Sequence, residues 1–575
     1  MDRDLRRALG HVRPHARRLI PVVLLSLAGT ALSLTMPVLS RTLVDDALLG
    51  RDLRVLLWTM AGFLGLTGAS FLFNVVSGLR YTRVSADILF AMRLEVFRHL
   101  QRLSPRYFAR MPLGQIASRI NSDIGEIQRV AAEVALAWIG YTVYLVGSVV
   151  MLLVLDVRMF VAGLLALPPA LWALVRYRRR LEHAVAATRD RSALVGTFLI
   201  EALQGMKLLV AANAQNRSVD EFRRRNDDFV DALMRMRRLT YFSGGLPGLL
   251  LALGSAGVFL YGGWRVIEGT LTMGTLVAFA AYQMRLLGPI QGLMGIFTSV
   301  ASARVSLRRV NEILDTPVDV SDAPGVRPLR DAVGTIDLDD VSFAFEDGRP
   351  VLDGVSLSVE AGECIAIVGS SGVGKSTIAD LLVRHVDPRH GTIRLDGHDL
   401  RDLTLADVRR HIAVLEQEPF LFNATLADNL RIAAPHATDA ELNDALSVSG
   451  LDDWVRAATH GLATVVGERG RALSTGERQR LSLARAYLTG PAVIVLDEAT
   501  GSLDPATERR VVAGLDSWMR GRTTVLITHR LEVARRAARV VVLHEGRVAE
   551  IGPADALLDG AGAFALAFAT PQPVA

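Results

Sequence analysis

Lysine and cysteine are almost absent from this chain of 575 residues. Only two of its 64 basic residues are lysine, Lys207 and Lys375, so arginine supplies nearly all of the positive charge. The single cysteine, Cys364, excludes an internal disulfide. Because Cys364 stands in an apolar run, we expect a small core residue rather than a reactive thiol.

The chain is too long for a single hydrophobic core, so its length predicts two or more domains. Half of the residues are hydrophobic and the mean hydropathy is +0.31, which is high for a soluble protein. The net charge of +5 would also suit a nucleic-acid partner. The arginines, however, cluster beside long apolar runs, and this arrangement favours a membrane and no nucleic acid.

A helix needs about 20 apolar residues to cross a bilayer, and six segments meet this requirement. They are Ile20–Ser40, Val55–Gly78, Val134–Leu155, Met159–Val175, Gly244–Trp264 and Leu271–Val300. The first is too long for a signal peptide and five more follow it, so we expect it to be retained. On one side of the membrane the short connections contain only a few arginines, which are Arg41, Arg51, Arg54, Arg158 and Arg265. The positive-inside rule therefore predicts a multi-pass protein of the cytoplasmic membrane with both termini in the cytoplasm.

Two of the cytoplasmic connections are long and have the periodicity of helices. In the first, the apolar positions are Leu89, Met92, Val96, Leu100 and Leu103. In the second, they are Leu199, Leu203, Met206 and Val210. The second span should therefore continue far beyond the membrane, until Pro105 interrupts it. We expect an all-α six-span membrane domain over residues 1–315, a linker over 316–334 and a soluble domain over 335–575.

The clearest functional motif surrounds Lys375. It reads Gly369-Ser370-Ser371-Gly372-Val373-Gly374-Lys375-Ser376-Thr377 and has the G-x-x-x-x-G-K-[ST] pattern of a phosphate-binding loop. An apolar run before it predicts a buried strand, and residues 378–382 predict a helix after it. Backbone N–H groups of the loop would surround phosphate oxygens, Lys375 would reach the β- and γ-phosphates, and Ser376 would hold Mg²⁺. The motif predicts an α/β nucleotide-binding domain.

Two carboxylates follow a second apolar run, 493–496, which is typical of a strand buried in a parallel sheet. Asp497 can hold Mg²⁺, and Glu498 can polarise the water that attacks the phosphate. A solvated sheet edge is the alternative for such a pair, but the phosphate loop upstream favours the catalytic role.

A second anion site is predicted between these motifs, where Leu473–Arg480 opens a helix. The hydroxyl of Ser474 and the backbone at Gly476 would bind an anion at the helix N-terminus. One nucleotide does not need two such sites for one γ-phosphate, so the second would serve another nucleotide.

These ordered motifs resemble the nucleotide-binding domain of ATP-binding cassette (ABC) transporters. Six spans followed by this domain resemble an ABC exporter half-transporter, and the resemblance covers essentially the whole chain. It implies an ATPase that uses ATP and Mg²⁺ to drive transport as a dimer with a second half-transporter. In that family each ATP lies between the phosphate loop of one chain and the signature sequence of the other. The signature residues Ser474, Gly476 and Glu477 would thus serve the partner's ATP.

The resemblance also implies roles for residues outside these motifs. Phe345 stands where the family has an aromatic residue that stacks on adenine, a core strand aromatic being the alternative. Gln417 matches the glutamine that senses Mg²⁺ and the transmembrane helices, and His529 matches the histidine that contacts the γ-phosphate. Gly467–Gly470 resembles the exporter-specific loop, and Gly501–Asp504 resembles the loop that communicates between the sites. A weaker match, to the first cytoplasmic coupling segment, involves Tyr107, Phe108, Gly114, Arg119 and Asp123.

The signature departs from the family at two positions. Thr475 replaces the first glycine of Leu-Ser-Gly-Gly, and Glu477 stands where glutamine is commonest. A β-branched side chain beside a phosphate site is the more serious change. An altered signature beside an intact Glu498 resembles one member of an asymmetric pair, so a heterodimer and a homodimer that tolerates threonine both stay open.

We therefore expect ATP-driven export of a lipid, peptide, drug or other small molecule. An importer on the same scaffold stays open, whereas the intact Glu498 and His529 argue against a regulatory member that does not need hydrolysis. Arg285 lies about 15 residues beyond the outer end of the sixth span, near the bilayer midplane. A buried arginine should face the bundle interior, so Arg285 is predicted to line the transport path. In the alternative, the helix is shifted so that the Arg285 side chain reaches the membrane–water interface.

Overall fold

The structure is a computed structural model of the chain. It describes residues 7, 10, 13–130, 134–165, 167–345, 348–467, 470, 472–498, 516–560 and 562–569. The chain divides into two compact units, Met1–Arg98 with Gly114–Asp315, and His99–Leu113 with Thr316–Ala575. The segment His99–Leu113 thus groups with the C-terminal unit, although the sequence suggested one contiguous domain over residues 1–315.

The described part of the chain before Thr316 is helical. Its helices are α1 Ala16–Thr42, α2 Leu53–Leu100, α3 Pro105–Arg110, α4 Leu113–Ser118, α5 Ile124–Arg129, α6 Ala135–Leu155, α7 Val157–Leu164, α8 Leu167–Gln204, α9 Met206–Ala211, α10 Gln215–Ile267, α11 Met273–Arg285 and α12 Leu287–Leu314. Turns of π-helix continue α1 over Leu43–Leu49 and join α4 to α5 over Arg119–Asp123.

Four helices of the described residues are long and apolar enough to cross a membrane. They are Arg13–Leu49, Leu53–Leu100, Leu136–Leu155 and Gly248–Ile267, which correspond to the first, second, third and fifth predicted spans.

The fourth and sixth predicted spans are not single continuous helices. The fourth is interrupted between α7 and α8, where Pro168 and Pro169 have no N–H to continue the helix. The sixth is interrupted at Leu286, because Pro289 cannot donate a hydrogen bond to the carbonyl of Arg285 four residues earlier.

The second span does continue as a long helix, since α2 has 48 residues. Its predicted apolar stripe is buried over the last turns, with Met92, Val96, Leu100 and Leu103 all at most 7% exposed. The stripe in the second connection differs. Leu199, Leu203, Met206 and Val210 are between 42% and 60% exposed, so a single chain leaves this stripe uncovered.

A buried ion pair connects the ends of several membrane helices. Arg265, near the end of α10, places its Nη1 2.6 Å from the carboxylate of Asp156, the residue between α6 and α7. Asp156 also caps α7, because its carboxylate accepts the N–H of Met159 at 2.9 Å. The Nε of Arg265 donates to Thr270 Oγ1 at 3.3 Å, in the connection to α11. The two charged side chains are only 10% and 14% exposed.

The described residues of the C-terminal unit contain two sheets. The strands are β1 Ile336–Ala344, β2 Pro350–Val359, β3 Cys364–Gly369, β4 His390–Leu395, β5 His398–Asp399, β6 Ile412–Leu415, β7 Val493–Asp497, β8 Thr523–Ile527, β9 Arg539–His544 and β10 Arg547–Gly552. One sheet has the order β2-β1-β4-β5 and is antiparallel. The other has the order β10-β9-β3-β8-β7-β6 and is parallel except for its edge strand β10.

Besides α3, the described helices of this unit lie between and after the strands. They are α13 Lys375–Leu382, α14 Leu405–His411, α15 Leu426–Arg431, α16 Asp439–Val448, α17 Asp452–Ala457, α18 Thr475–Thr489, α19 Leu531–Ala534, α20 Ala554–Leu558 and α21 Ala563–Ala569.

Strand β3 is covered on both faces. Ile365 and Ile367 belong to a core shared with β1 and β2, whereas Ala366 and Val368 belong to a second core with residues of α18 and α21. All four side chains are at most 2% exposed. This alternation explains why the strand reads as a continuous apolar run.

The predicted linker is bound to the C-terminal unit over its second half. The N–H of Arg327 donates to the carbonyl of Asp402 at 2.8 Å. The carboxylate of Asp396 accepts three successive backbone N–H groups, from Val333 to Thr335, at 2.7–2.9 Å. These bonds fix where the linker enters β1.

Candidate functional site

The phosphate loop and the predicted catalytic and Mg²⁺-binding residues lie at one edge of the six-stranded sheet. In a parallel sheet the carboxyl ends of the strands meet at the same edge, and ligands bind there. Strand β3 leads into the phosphate loop, its neighbour β8 leads to His529, β7 leads to Glu498, and β6 leads to Gln417. Four motifs that are far apart in the sequence therefore meet at this edge.

The phosphate loop, Gly369–Thr377, joins β3 to α13. Gly374 has φ 110°, and a Cβ at this position would meet the side chain of Leu352 at 2.7 Å, so the loop requires glycine here. The Nζ of Lys375 donates to the carbonyls of Gly369 at 2.8 Å and Ser370 at 3.0 Å. The ammonium group is therefore folded over the loop, at the N-terminus of α13.

Ser376 and Asp497 form the next part of the site. Burial raises the pKa of Asp497 above its usual value, although the neighbouring Ser376 opposes this effect. Burial also lowers the pKa of Lys375, against the opposing effect of Glu498 and Asp497. A cation bound here would favour the ionised form of Asp497.

Glu498 and His529 are in contact. The Oε1 of Glu498 lies 2.9 Å from Nδ1 of His529, and the N–H of Glu498 donates to the carbonyl of Ile527 at 3.0 Å. Glu498 has φ 51°, a left-handed conformation that costs a non-glycine residue about 1–3 kcal/mol. Such conformations persist where the surrounding structure imposes them, and they are concentrated at functional sites. The turn after β7 thus holds this carboxylate toward His529.

Gln417 is exposed, two residues beyond the end of β6. Its carbonyl accepts a hydrogen bond from Nε2 of Gln479 at 3.1 Å. Gln479 is 5% exposed and lies on α18, the helix that the signature opens. The signature helix is therefore tied to the Gln417 segment of the same chain.

The signature residues form the N-terminal cap of α18. The Oγ of Ser474 accepts the N–H of Glu477 at 3.3 Å, and the Glu477 carboxylate accepts the N–H of Ser474 at 2.7 Å. This reciprocal capping box leaves the Ser474 hydroxyl its own proton to donate. Thr475 Oγ1 accepts from Nη2 of Arg478 at 3.0 Å, which holds the substituted side chain against its own helix. Ser474 and Thr475 are both exposed.

Phe345 follows β1 and is half-buried. Its ring lies edge-to-face with Phe343, with centres 5.6 Å apart. The guanidinium of Arg106, on α3, lies 4.7 Å from the centre of the Phe345 ring and 4.6 Å from that of Phe343. No sequence motif marks Arg106, although the neighbouring Tyr107 belongs to the predicted coupling segment, because the ring that Arg106 contacts is distant in the sequence.

Three further predictions have different outcomes. Cys364 is partly buried against the core that includes α18 and α21, and burial raises the pKa of its thiol to about 11, as expected for a residue that packs rather than reacts. Arg285 is exposed at the end of α11, directly before the break at Leu286, and its role in the transport path stays a prediction. Glu468 and Arg469 of the predicted exporter-specific loop, and the predicted communicating loop 501–504, lie outside the described residues.

Comparisons with known proteins agree with this geometry. Residues 19–290 match the ABC transporter transmembrane region, and residues 352–501 match the ABC transporter family. The chain is 32% identical over 561 residues to the uncharacterized ABC transporter ATP-binding protein YknV of Bacillus subtilis (strain 168), a match that covers 97% of this chain and 93% of that protein. The chain belongs to the ABC transporter family.

This ABC transporter is also 30% identical to the ATP-dependent lipid A-core flippase of Syntrophus aciditrophicus (strain SB), over 97% of this chain and 93% of that protein. The solved structure of a bacterial Atm1-family ABC exporter with ATP bound covers 97% of this chain and 99% of its own, with 26% identity and a TM-score of 0.80. The predicted fold is thereby confirmed, a helical transmembrane domain followed by an α/β ATP-binding cassette.

The same comparisons confirm the predicted activity. The chain is a multi-pass membrane protein and an ABC exporter, in which ATP hydrolysis drives the transport of a substrate. Half-transporters of this family dimerise, so a second half-transporter completes the assembly.

Proposed function

We propose that Glu498 orients and polarises the water that attacks ATP in this ABC exporter. The contact of Glu498 with His529 supports this proposal most strongly. It lies at the edge of the six-stranded sheet where the phosphate loop begins. The Glu498 carboxylate only accepts hydrogen bonds, so Nδ1 carries the proton in this contact, and His529 would donate from Nε2 to an oxygen of the γ-phosphate only as the doubly protonated imidazolium. Lys375 would exchange the carbonyls of Gly369 and Ser370 for phosphate oxygens when ATP binds.

Oxygen donors that suit Mg²⁺ surround the same point. The Ser376 hydroxyl and the Asp497 carboxylate are neighbours, and Gln417 follows the next strand of the sheet. We assign these three residues to the Mg²⁺ that accompanies ATP. When bound, the ion would neutralise charge on the phosphate oxygens. Phe345, at the end of β1, is assigned to stacking on the adenine.

A dimer would complete each ATP site with the signature of the partner. Ser474 supports this role, because it is exposed, lies at a helix N-terminus and keeps a proton to donate. The uncovered stripe from Leu199 to Val210 also supports a dimer, since an apolar stripe of this kind marks an interaction surface. Thr475, held by Arg478, is compatible with a heterodimer and with a homodimer.

We place the protein in the cytoplasmic membrane with both termini inside, since its arginines concentrate on that side. A lipid or another amphipathic small molecule is the proposed cargo. The similarity to a lipid A-core flippase supports this class. Export into sealed inside-out vesicles tests the direction: an exporter fills them with a fluorescent lipid analogue when ATP is added outside, and an importer does not.

Glu498→Gln tests the catalytic assignment. The variant in proteoliposomes should bind ATP but hydrolyse it about 10²–10⁴-fold more slowly, because the general base is lost while Asp497 and the phosphate loop stay intact. Glu545→Gln is a matched control, since Glu545 is an exposed glutamate that also has a left-handed φ, 48°, in the hairpin between β9 and β10. Hydrolysis by Glu498→Gln at a rate close to wild type would contradict the assignment.

A further inference from the structure

Arg106, in the first cytoplasmic connection, packs against the ring of Phe345, the residue assigned to stacking on adenine. The guanidinium of Arg106 lies almost equally far from two ring centres, 4.7 Å from Phe345 and 4.6 Å from Phe343. The two rings are nearly perpendicular, at 86°. Arg106 therefore fills the corner that the rings form, at distances where a cation is attracted to both aromatic faces.

A carboxylate fixes Arg106 from a third direction. Its Nη2 lies 3.4 Å from Asp380, whose carboxylate is also 3.1 Å from Nδ1 of His385. Asp380 belongs to α13, the helix that begins at Lys375 of the phosphate loop. The Arg106 side chain is only 20% exposed. Two rings and a carboxylate on the phosphate-loop helix thus hold one guanidinium in place.

The position of Arg106 leaves only part of the Phe345 ring accessible to the adenine base. A guanidinium 4.7 Å from the ring centre leaves no room for a base between the two groups. Phe343 is 6% exposed, so the corner that contains Arg106 lies toward the interior of the unit, whereas Phe345 is only partly buried. Adenine would stack on the remaining surface of Phe345, and Arg106 would support the ring from behind.

We infer that Arg106 is a positioning residue of the ATP site, which fixes the Phe345 ring for adenine and links nucleotide binding to the position of α3. The inference rests on the proposed role of Phe345. Helix α3 starts five residues after α2 ends, and α2 contains the second span. Because such a linkage is reciprocal, ATP stabilises the packed position of α3 to the same extent that this position favours ATP.

Nucleotide binding to the full-length protein in lipid nanodiscs tests the inference. Arg106→Gln should weaken ATP binding by about three- to tenfold, because it removes the cation from the ring. The affinity of Arg106→Gln for inorganic tripolyphosphate, which has no base, should equal that of the wild type. Arg106→Lys should lose less, since it keeps the charge but not the planar stack. Arg102→Gln is the matched control, because Arg102 is an exposed arginine in the same connection.

Hydrogen exchange gives a second measurement. ATP should increase the protection of residues 99–113 in the wild type, and Arg106→Gln should remove most of this increase. Unchanged or tighter ATP binding by Arg106→Gln overturns the inference, and tighter binding means that the guanidinium competes with the base. An equal loss for ATP and tripolyphosphate also overturns it, because the defect is then not specific to adenine.

Phe345→Ala separates this inference from the function on which it rests. If Phe345→Ala leaves the affinity for ATP unchanged, the adenine role of Phe345 is wrong. If Phe345→Ala weakens ATP binding but Arg106→Gln does not, only the positioning role of Arg106 is wrong. Thermal melting of each variant, compared with the wild type, excludes general unfolding as the cause.

Discussion

Replacing Arg265 by methionine should destabilise the membrane unit strongly. Methionine keeps the apolar stem of arginine but removes the charge that lies 2.6 Å from Asp156. The Asp156 carboxylate is only 14% exposed, so water cannot replace the lost partner fully. Removing one member of a buried ion pair typically costs about 3–5 kcal/mol, because the other charge stays buried without compensation.

This loss corresponds to a measurable change in melting temperature. Unfolding entropies of about 2.1 cal/mol/K per residue give roughly 0.6 kcal/mol per kelvin for a unit of about 300 residues. The expected decrease in Tm is therefore about 5–8 °C. Intrinsic fluorescence of the purified protein in nanodiscs of fixed lipid composition would record it.

Two comparisons make the test specific to the ion pair. Arg158→Met makes the same substitution at an exposed arginine of the same turn and should leave Tm within about 1 °C. The double variant Asp156→Asn/Arg265→Met should recover most of the loss, since asparagine can still accept the N–H of Met159 and no charge is left buried. A double variant as unstable as Arg265→Met, or no change in Arg265→Met itself, would refute this reasoning.

Three other predictions concern the function. The chain purified alone should form a dimer with slow ATPase activity that Thr475→Gly accelerates, because glycine removes the branched side chain beside the phosphate; robust activity of the unmodified dimer would argue against a heterodimer. Arg285→Ala should leave basal ATPase activity near the wild-type rate and reduce transport of a verified substrate, and undiminished transport would remove Arg285 from the path. ATPase activity should fall as the pH decreases through the raised pKa of Asp497, since the protonated acid cannot hold Mg²⁺. Raising the Mg²⁺ concentration should move this acid limb to lower pH, and a limb that does not respond to Mg²⁺ would contradict the role of Asp497.

The sequence predicted those parts of the site that are local. The phosphate loop and the carboxylates after β7 each depend on a few adjacent residues with a strict chemical requirement. Their meeting at one edge follows from the order of β3, β8, β7 and β6 in the sheet, which no single motif contains. The left-handed backbone of Glu498 and its contact with His529 likewise arise only when β7 and β8 pair.

Other features have a signal in the sequence that hydropathy does not contain. Pro168 and Pro289 stand inside apolar runs, and both predict an interrupted helix by the loss of a backbone donor. Hydropathy alone does not indicate the breaks after α7 and at Leu286. The contact of Arg106 with Phe345 had no such signal, because it joins residues that only the tertiary fold brings together.

The folded-back position of Lys375 has a practical consequence for observing this protein. The carbonyls of Gly369 and Ser370 act as stand-ins for phosphate, so the amine must leave them before any reagent can reach it. An amine-directed label would therefore modify Lys375 at a rate that reports how often the loop releases its side chain. Since Lys207 is the only other lysine in the sequence, the two lysine-containing peptides would suffice to compare the side chains. The scarcity of lysine makes one side chain of the catalytic domain a natural reporter of nucleotide occupancy, and an engineered probe is unnecessary.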